Sequence, residues 1–282
     1  MKIGIIGLGL IGGSLGLDWT KKGHQVWGVS RQEQTCQIAE ARGVVYQASP
    51  DLESLTPAGL DLVVICTPIA SILATVERLV GILSSETILT DVASVKAAIV
   101  PQAEVIWPYF IGGHPMAGTE KQGIQAAQSH LFRHRPYVLT PTPKTVPEAL
   151  KCLKSLITDL EASCLEMDPD SHDTVVAWIS HLPVMISASL IAACCGQSDP
   201  GHLEMSKRLA SSGFRDTSRV GGGNPDLGVA MAQYNQQALL TALGHYQDQL
   251  LQIRQMIEQE DWLALHSLLE KAHECRPHFV KL

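Results

Sequence analysis

Met1-Lys-Ile-Gly-Ile-Ile-Gly-Leu-Gly-Leu-Ile-Gly-Gly-Ser-Leu15 opens the chain and decides its fold. Ile3, Ile5 and Ile6 form a short apolar run suited to a buried strand. Gly7, Gly9 and Gly12 follow in the G-x-G-x-x-G spacing, at the point where the chain turns into a helix. Gly7 permits the tight turn, Gly9 lets a pyrophosphate approach the backbone, and Gly12 allows close packing of helix on strand. Leu8, Leu10 and Ile11 lie between them, so their main-chain groups share the cradle. The helix start presents free N–H groups and a positive dipole end to phosphate. The segment is thus expected to hold a dinucleotide.

The first helix runs from about Ile11 to Lys22, with Gly23 as its stop, and Gln25–Val29 reads as the second strand. A site for NAD places Asp or Glu at the end of that strand to bind the ribose 2′-hydroxyl. Here Ser30 and Arg31 stand there, and the first carboxylate is Glu33. A guanidinium pairs with a 2′-phosphate that a carboxylate would repel, so NADP is the expected cofactor. Thr35 is a further, weaker contact to that phosphate.

Beyond it, strands and helices alternate. Val44–Tyr46, Asp61–Cys66, Thr87–Thr90, Phe110–Gly113, Tyr137–Thr140 and Ala162–Met167 read as strands; Ile69–Leu83 and Val95–Ala103 read as helices. Alternation of this kind predicts a doubly wound, mostly parallel α/β sheet of Rossmann type. From Asp168 helical patterns take over: Asp170–Cys195, Gly201–Ala210, Pro225–Glu258 and Trp262–Cys275. Asp168-Pro169 reads as an N-cap with proline at N1. The chain therefore divides into residues 1–167, a nucleotide-binding domain, and residues 168–282, an all-helical domain. Ile179–Ala193 is apolar nearly all round, which predicts a homodimer closed through the helical part.

Composition narrows the class. The chain has 282 residues, 45% of them hydrophobic, and a formal charge of −7. That balance argues against a nucleic-acid partner. Apolar runs are interrupted before roughly 18 residues, so no membrane span is expected. A first residue so close to a strand leaves no room for a secretion signal, and seven scattered cysteines without C-x-x-C fit reduced thiols. A cytoplasmic protein is expected. Adjacent Cys194 and Cys195 read as part of a packed helix, and no metal site is expected.

In doubly wound sheets ligands sit outside the carboxyl ends of the strands. Thr67-Pro68, Asp91–Lys96 and Gly112–Glu120 arrive there. His114, flanked by glycines and fixed by Pro115, is the side chain best matched to proton transfer near neutral pH.

The chain resembles the prephenate/arogenate dehydrogenases over essentially its whole length. Gly7-Leu-Gly-Leu-Ile-Gly-Gly-Ser14, Asp91-Val-Ala-Ser-Val-Lys96, His114-Pro-Met-Ala-Gly-Thr-Glu120, Ser180-His-Leu-Pro183 and Gly213-Phe-Arg-Asp-Thr-Ser-Arg219 carry the resemblance. It implies NADP-dependent oxidative decarboxylation of a cyclohexadienyl substrate, arogenate or prephenate, in tyrosine biosynthesis. Compact NADP-preferring members imply arogenate. The resemblance also implies roles for single residues. His114 accepts the substrate hydroxyl proton, and Ser94 bonds both His114 and that hydroxyl while touching the cofactor. Arg219, in a loop between helices, holds a substrate carboxylate; Thr119, His181 and Gly213 line the substrate. Asp216 orients Arg215 or Arg219. His172, His130 and His134 read as surface or capping residues.

Two other readings share this layout. A β-hydroxyacid dehydrogenase or imine reductase would use a lysine, or a tyrosine/aspartate pair, from the helical part. Lys207 is the nearest lysine and reads as solvated. A non-enzymatic NADP-sensing regulator would need neither His114 nor Ser94.

Overall fold

The computed structural model describes residues 1–119 and 121–280. Glu120, the end of the His114 motif, and Lys281 and Leu282 lie outside the described residues.

Strand β1 (Lys2–Ile6) and helix α1 (Leu10–Lys21) flank the glycine turn, and β2 (Gln25–Val29) follows. Helix α2 (Glu33–Ala41) leads to β3 (Gln47–Ser49), three residues past the expected strand. Val44 and Val45 are fully buried instead as the plug between α2 and the sheet, and Val44 O accepts the Thr20 hydroxyl at 3.0 Å. β4 (Leu62–Ile65), α3 (Ile72–Leu79), β5 (Ile88–Asp91), α4 (Val100–Ile106), β6 (Phe110–Pro115), β7 (Pro136–Thr140), α5 (Pro147–Asp159) and β8 (Ser163–Glu166) complete the sheet region. The expected helix over Ile69–Leu83 is a 3-10 turn over Ile69–Ser71 followed by α3.

The eight strands lie in the order β3-β2-β1-β4-β5-β6-β7-β8. β1 to β6 run parallel; β7 is antiparallel to β6, and β8 runs parallel to β7. All four residues of β4 are buried. Leu62 and Val64 feed one apolar cluster with Ile3, Leu15 and Trp19; Val63 and Ile65 feed the other with Ile72, Val76 and Phe110. A strand covered on both faces reads as a continuous apolar run, which is what Leu62–Ile65 is.

After β8 the chain is helical. α6 (Pro169–Val176) starts at Asp168, whose Oδ1 accepts the Ser171 N–H at 2.9 Å, with proline at the first helical position. A π turn over Ala177–His181 joins it to α7 (Leu182–Cys195). Pro183 has no N–H to offer the carbonyl of Ile179, and the wider turn falls where that bond is missing. α8 (Pro200–Leu209), α9 (Ser212–Ser218), a 3-10 turn (Arg219–Gly222) and α10 (Pro225–Tyr234) follow. Arg219 thus opens a helical turn and is not in a loop.

The continuous stretch Pro169–Cys195 has 27 residues and contains an 18-residue window of mean hydropathy 1.8, so by length and composition it is long and apolar enough to cross a membrane. That departs from the expectation of no such segment. Its first half buries His172, Asp173 and His181 against protein partners, while Ile179 in the same stretch stays exposed. Cys194 and Cys195 fall at its far end, the latter exposed.

By compactness the chain forms two units, Met1–Gln236 and a second that begins at Gln237. Residues 168–236 join the first unit because α6 is bonded to the segment after β5, as described below. The second unit is α11 (Gln236–Glu258) and α12 (Trp262–Phe279), linked through Glu260 in the left-handed region and capped by Asp261, whose Oδ1 accepts the Ala264 N–H at 3.0 Å. The long helix expected over Pro225–Glu258 is broken at Asn235, which is buried and bonded elsewhere.

Candidate active site

The glycine turn has the geometry a phosphate cradle requires. Gly7 has φ +103°, and a Cβ there would lie 2.5 Å from the Cys66 carbonyl. A Cβ at Gly12 would collide with the carbonyl of Gly7. Beside Gly9 nothing lies within 4 Å, so the face that would meet a pyrophosphate is open. α1 begins at Gly9 without a side-chain cap and without an acidic residue in its first turn. Leu8 is buried, while Leu10 and Ile11 are half-buried at that helix start. These residues fit a dinucleotide.

At the end of β2, Ser30 is half-buried and its N–H donates to Ser49 O at 3.2 Å. Arg31 is exposed and makes no hydrogen bond or ion pair among the described residues. Thr35 lies in the first turn of α2, its hydroxyl 3.3 Å from Gln32 Oε1. After β4, the buried hydroxyl oxygen of Thr67 has no partner among the described residues, and Pro68 beside it is exposed.

A second group assembles at the carboxyl ends of β5 and β6. His114 is 6% exposed. Its Nδ1 lies 2.8 Å from Nε2 of His172, which is fully buried on α6. His172 Nδ1 lies 2.7 Å from Asp173 Oδ1. That carboxylate also accepts the Lys96 N–H at 2.8 Å and the Ala97 N–H at 2.9 Å. Chain order fixes the protons. The carboxylate only accepts, so His172 donates from Nδ1 and accepts at Nε2. His114 must then donate from Nδ1, which leaves its Nε2 with a lone pair. Burial, first, and the nearby His172, Lys96 and His181 hold the His114 pKa well below that of free imidazole. The ring is therefore a neutral base with one open acceptor.

His172, expected at the surface or as a cap, is instead fully buried on α6. One signal was available: a His-Asp pair in the first turns of an otherwise apolar helix, next to a fixed N-cap. His130 and His134 are indeed in loops, with φ of 62° and 58°. The His130 N–H is held by both carboxylate oxygens of Asp18, at 3.0 and 3.1 Å.

The expected bond between Ser94 and His114 is absent among the described residues. The Nδ1 of His114 is taken by His172, and the buried Ser94 Oγ has no partner. His181 is fully buried in the π turn, with Nδ1 3.2 Å from Asn235 Nδ2 and Nε2 without a partner among the described residues. Burial lowers its pKa; Asp173 and the backbone of Ser94 oppose the shift. Asn235 Nδ2 also donates to the Asp173 carbonyl at 2.7 Å. Its place between α10 and α11 was missed because a single asparagine inside a helical pattern carries no strong stop signal.

Thr119 is exposed after β6, its hydroxyl accepting the Lys121 N–H at 3.2 Å. Gly213 lies in α9 and is exposed. Asp216 pairs with Arg215 at 3.0 Å, and the exposed Arg219 side chain makes no bond among the described residues. The turn carrying Arg219 is pinned to α7. Ser187 Oγ donates to Thr217 O at 2.8 Å and accepts the Gly221 N–H at 3.0 Å. A Cβ at Gly221 would collide with the Ser187–Ala188 main chain.

A glycine cradle at one helix start, with a neutral histidine base at the strand ends of the same sheet, defines a Rossmann-type nucleotide-binding enzyme. Residues 15–166 match the family model "Prephenate dehydrogenase, nucleotide-binding domain", and residues 168–271 match "Prephenate dehydrogenase, dimerization domain". The chain belongs to the prephenate dehydrogenase family. It is 33% identical over 279 residues to a prephenate dehydrogenase of Bacillus subtilis, covering 96% of this chain and 74% of that one. It is 51% identical to the arogenate dehydrogenase of Synechocystis, whose crystal structure superposes with a TM-score of 0.85 over 99% of this chain and 100% of that one. The Aquifex aeolicus prephenate dehydrogenase, solved with hydroxyphenyl propionate and NAD+, is 25% identical with a TM-score of 0.93, covering 99% of this chain and 98% of that one. Family membership removes the hydroxyacid-dehydrogenase, imine-reductase and sensor readings.

Proposed function

We propose that this protein oxidises and decarboxylates arogenate with NADP, as a cytoplasmic homodimeric enzyme of tyrosine biosynthesis. The observation that carries the reading is the hydrogen-bonded chain Asp173–His172–His114, which ends in one unoccupied acceptor, the Nε2 of His114. Arogenate is favoured over prephenate by the 51% identity, over 99% of this chain, to a protein named for arogenate. NADP is favoured over NAD by the exposed, unpaired Arg31 at the end of β2, where a carboxylate would otherwise stand.

Gly7, Gly9 and Gly12 with the start of α1 would hold the pyrophosphate of NADP, Ser30, Arg31 and Thr35 its 2′-phosphate, and Thr67, Pro68 and Ser94 its nicotinamide end. The cofactor held there would supply the acceptor for the hydride of substrate C4. His114 Nε2 takes the 4-hydroxyl proton as hydride leaves, so the carbon–oxygen bond becomes a carbonyl. The ring carboxylate then departs as CO2, its electron pair aromatises the ring, and His114 returns the proton to the phenolate oxygen. Atoms and charge balance with no net proton. Through His172 the Asp173 carboxylate stabilises the imidazolium formed between the two proton transfers. The free Ser94 hydroxyl orients the substrate hydroxyl. Arg219 clamps a substrate carboxylate bidentately, and Thr119, His181 and Gly213 complete that pocket. Exposed Ile179, Leu209 and Val229 supply apolar surface for a second copy of the chain.

The test is an absorbance assay of the purified protein with arogenate or prephenate and with NADP or NAD. Turnover is expected to be fastest with arogenate and NADP. Arg31→Ala should weaken NADP binding by about 1–3 kcal/mol, the range of a charge-assisted bond, and leave NAD unaffected. Equal losses with both nucleotides, or preference for prephenate, would overturn the corresponding half of the proposal.

A further inference from the structure

The ladder between β5 and β6 pairs only Leu89 with Phe110 and Thr90 with Ile111. Beyond it β6 turns its hydrogen bonds to β7, beginning with Gly112 opposite Thr140. At this fork, side chains replace the missing β5 main chain. Asp91 Oδ1 accepts the Gly113 N–H at 3.1 Å, and Lys96 Nζ donates to the Gly113 carbonyl at 2.7 Å. That carbonyl belongs to the peptide bond entering His114. Lys96 Nζ also bonds Asp91 Oδ2, which accepts the Ala93 N–H at 3.0 Å, and both side chains are fully buried. The fit is tight: a Cβ on Gly113 would lie 2.7 Å from Asp91 O, and one on Gly112 would lie 3.1 Å from Lys96 Cδ. The main-chain N–H of the same Lys96 donates to Asp173 Oδ1.

We propose that Asp91 and Lys96 are a positioning pair for the dehydrogenase reaction: they fix the peptide that carries His114 and, through the Lys96 main chain, the carboxylate that orients His172. Neither touches the reacting atoms in the mechanism above. A buried ion pair is weak ground for stability, since well-packed apolar residues often replace one without loss. Its worth here lies in geometry: one residue, Lys96, is bonded both to the peptide that carries the base and to the carboxylate behind it. It also acts on the base electrostatically. The groups facing His114 are His172 on α6, with Asp173 behind it, His181 in the π turn, and Lys96 and Asp91 at the end of β5. Cys66 after β4 and Tyr137 on β7 lie in the same interior, and burial pushes both of their pKa values up, so they stay neutral. Burial pushes Lys96 itself down, and Asp91 opposes that shift. The Lys96 ammonium is among the charges that lower the His114 pKa.

The inference rests on His114 being the proton acceptor, so the variant His114→Asn is measured beside it. The double variant D91N/K96M removes both charges at nearly constant volume. It is expected to unfold cooperatively and bind cofactor within about twofold of wild type. Its kcat should fall about 10²-fold, the scale of a misplaced catalytic group. KM should hold steady. If D91N/K96M does not fold, D91N/K96Q, which keeps a hydrogen bond between the two side chains, carries the same test. Failure of both to fold makes the pair a folding device and overturns the proposal. If His114→Asn loses turnover and the acid limb while the double variant keeps wild-type kcat, the positioning role alone is refuted. If His114→Asn retains turnover, the reading of the base itself falls.

Discussion

Asparagine in place of Asp173 tests the proton order of the site with the smallest change in shape. The carboxylate accepts three bonds: His172 and the Lys96 N–H on Oδ1, and the Ala97 N–H on Oδ2. An amide has one acceptor oxygen. If that oxygen stays beside His172, its NH2 confronts the Ala97 N–H. If it turns, the NH2 donates to His172 and confronts the Lys96 N–H, and the protons of the whole chain reverse. His114 then accepts from His172 at Nδ1, carries its proton on Nε2 and has no acceptor left for the substrate. Either orientation orphans one main-chain donor, which costs about 1–3 kcal/mol of stability. Either also removes the anion that supports the imidazolium. A charge-assisted bond of about 1.5–3 kcal/mol corresponds to roughly 10–10²-fold in rate. Reversal of the chain adds to it, as carboxylate-to-amide changes beside catalytic histidines reach about 10⁴-fold. We expect kcat for Asp173→Asn to fall between 10²- and 10⁴-fold by these two estimates combined. Cofactor affinity, read by fluorescence titration, should be unchanged. A folded variant within threefold of wild-type kcat would refute the proton order.

Two further outcomes are expected. His114 and His181 are both held below the free imidazole pKa by burial, so below pH of about 6.5 the unfolded chain binds protons that the native chain does not. Stability then rises with pH across that window and is lost as pH falls, by up to about 1.4 kcal/mol per pH unit for each histidine. Urea unfolding of His181→Asn between pH 7 and 5 should show a shallower slope than wild type; equal slopes would count against the burial argument. Light scattering at micromolar concentration should give about twice the chain mass of 30.5 kDa. A monomer would rule out the role given to exposed Ile179, Leu209 and Val229.

Much of the nucleotide half is legible in the sequence because its constraints are local. Strand, glycine turn and helix lie within 21 residues, and the all-buried β4 declares itself as an apolar run. His114 is legible for the same reason, as a histidine at the end of a strand between a glycine pair and a proline. What orients it is not local. His172 is 58 residues away and reaches His114 only because α6 docks on the segment after β5. Periodicity cannot place His181 either, since the π turn shifts the helix face by a residue just before it. The helix expected from Val95 begins at Val100 instead, because Lys96 spends its main-chain N–H on Asp173 and its side chain on Asp91 and Gly113. Ser94 Oγ was expected to bond His114, but that nitrogen was already committed to a residue the sequence did not bring near.

Lys96 and Asp173 act on His114 with opposite signs. Lys96 works through space: its ammonium disfavours a second positive charge on the ring and keeps the resting base neutral. Asp173 works along hydrogen bonds: His172 passes its negative charge to His114 and favours the imidazolium once a proton arrives. A base held neutral at rest and supported when charged is what proton transfer near neutral pH calls for. The acid limb of kcat/KM reports the second of these effects. Asp173→Asn removes the anion, lowers the His114 pKa and moves the limb of its residual activity to lower pH. Profiles of the wild type and Asp173→Asn, taken on the same substrate and cofactor, decide the matter. A shift to higher pH would mean that the limb reports general loosening of the site and not the charge on His114.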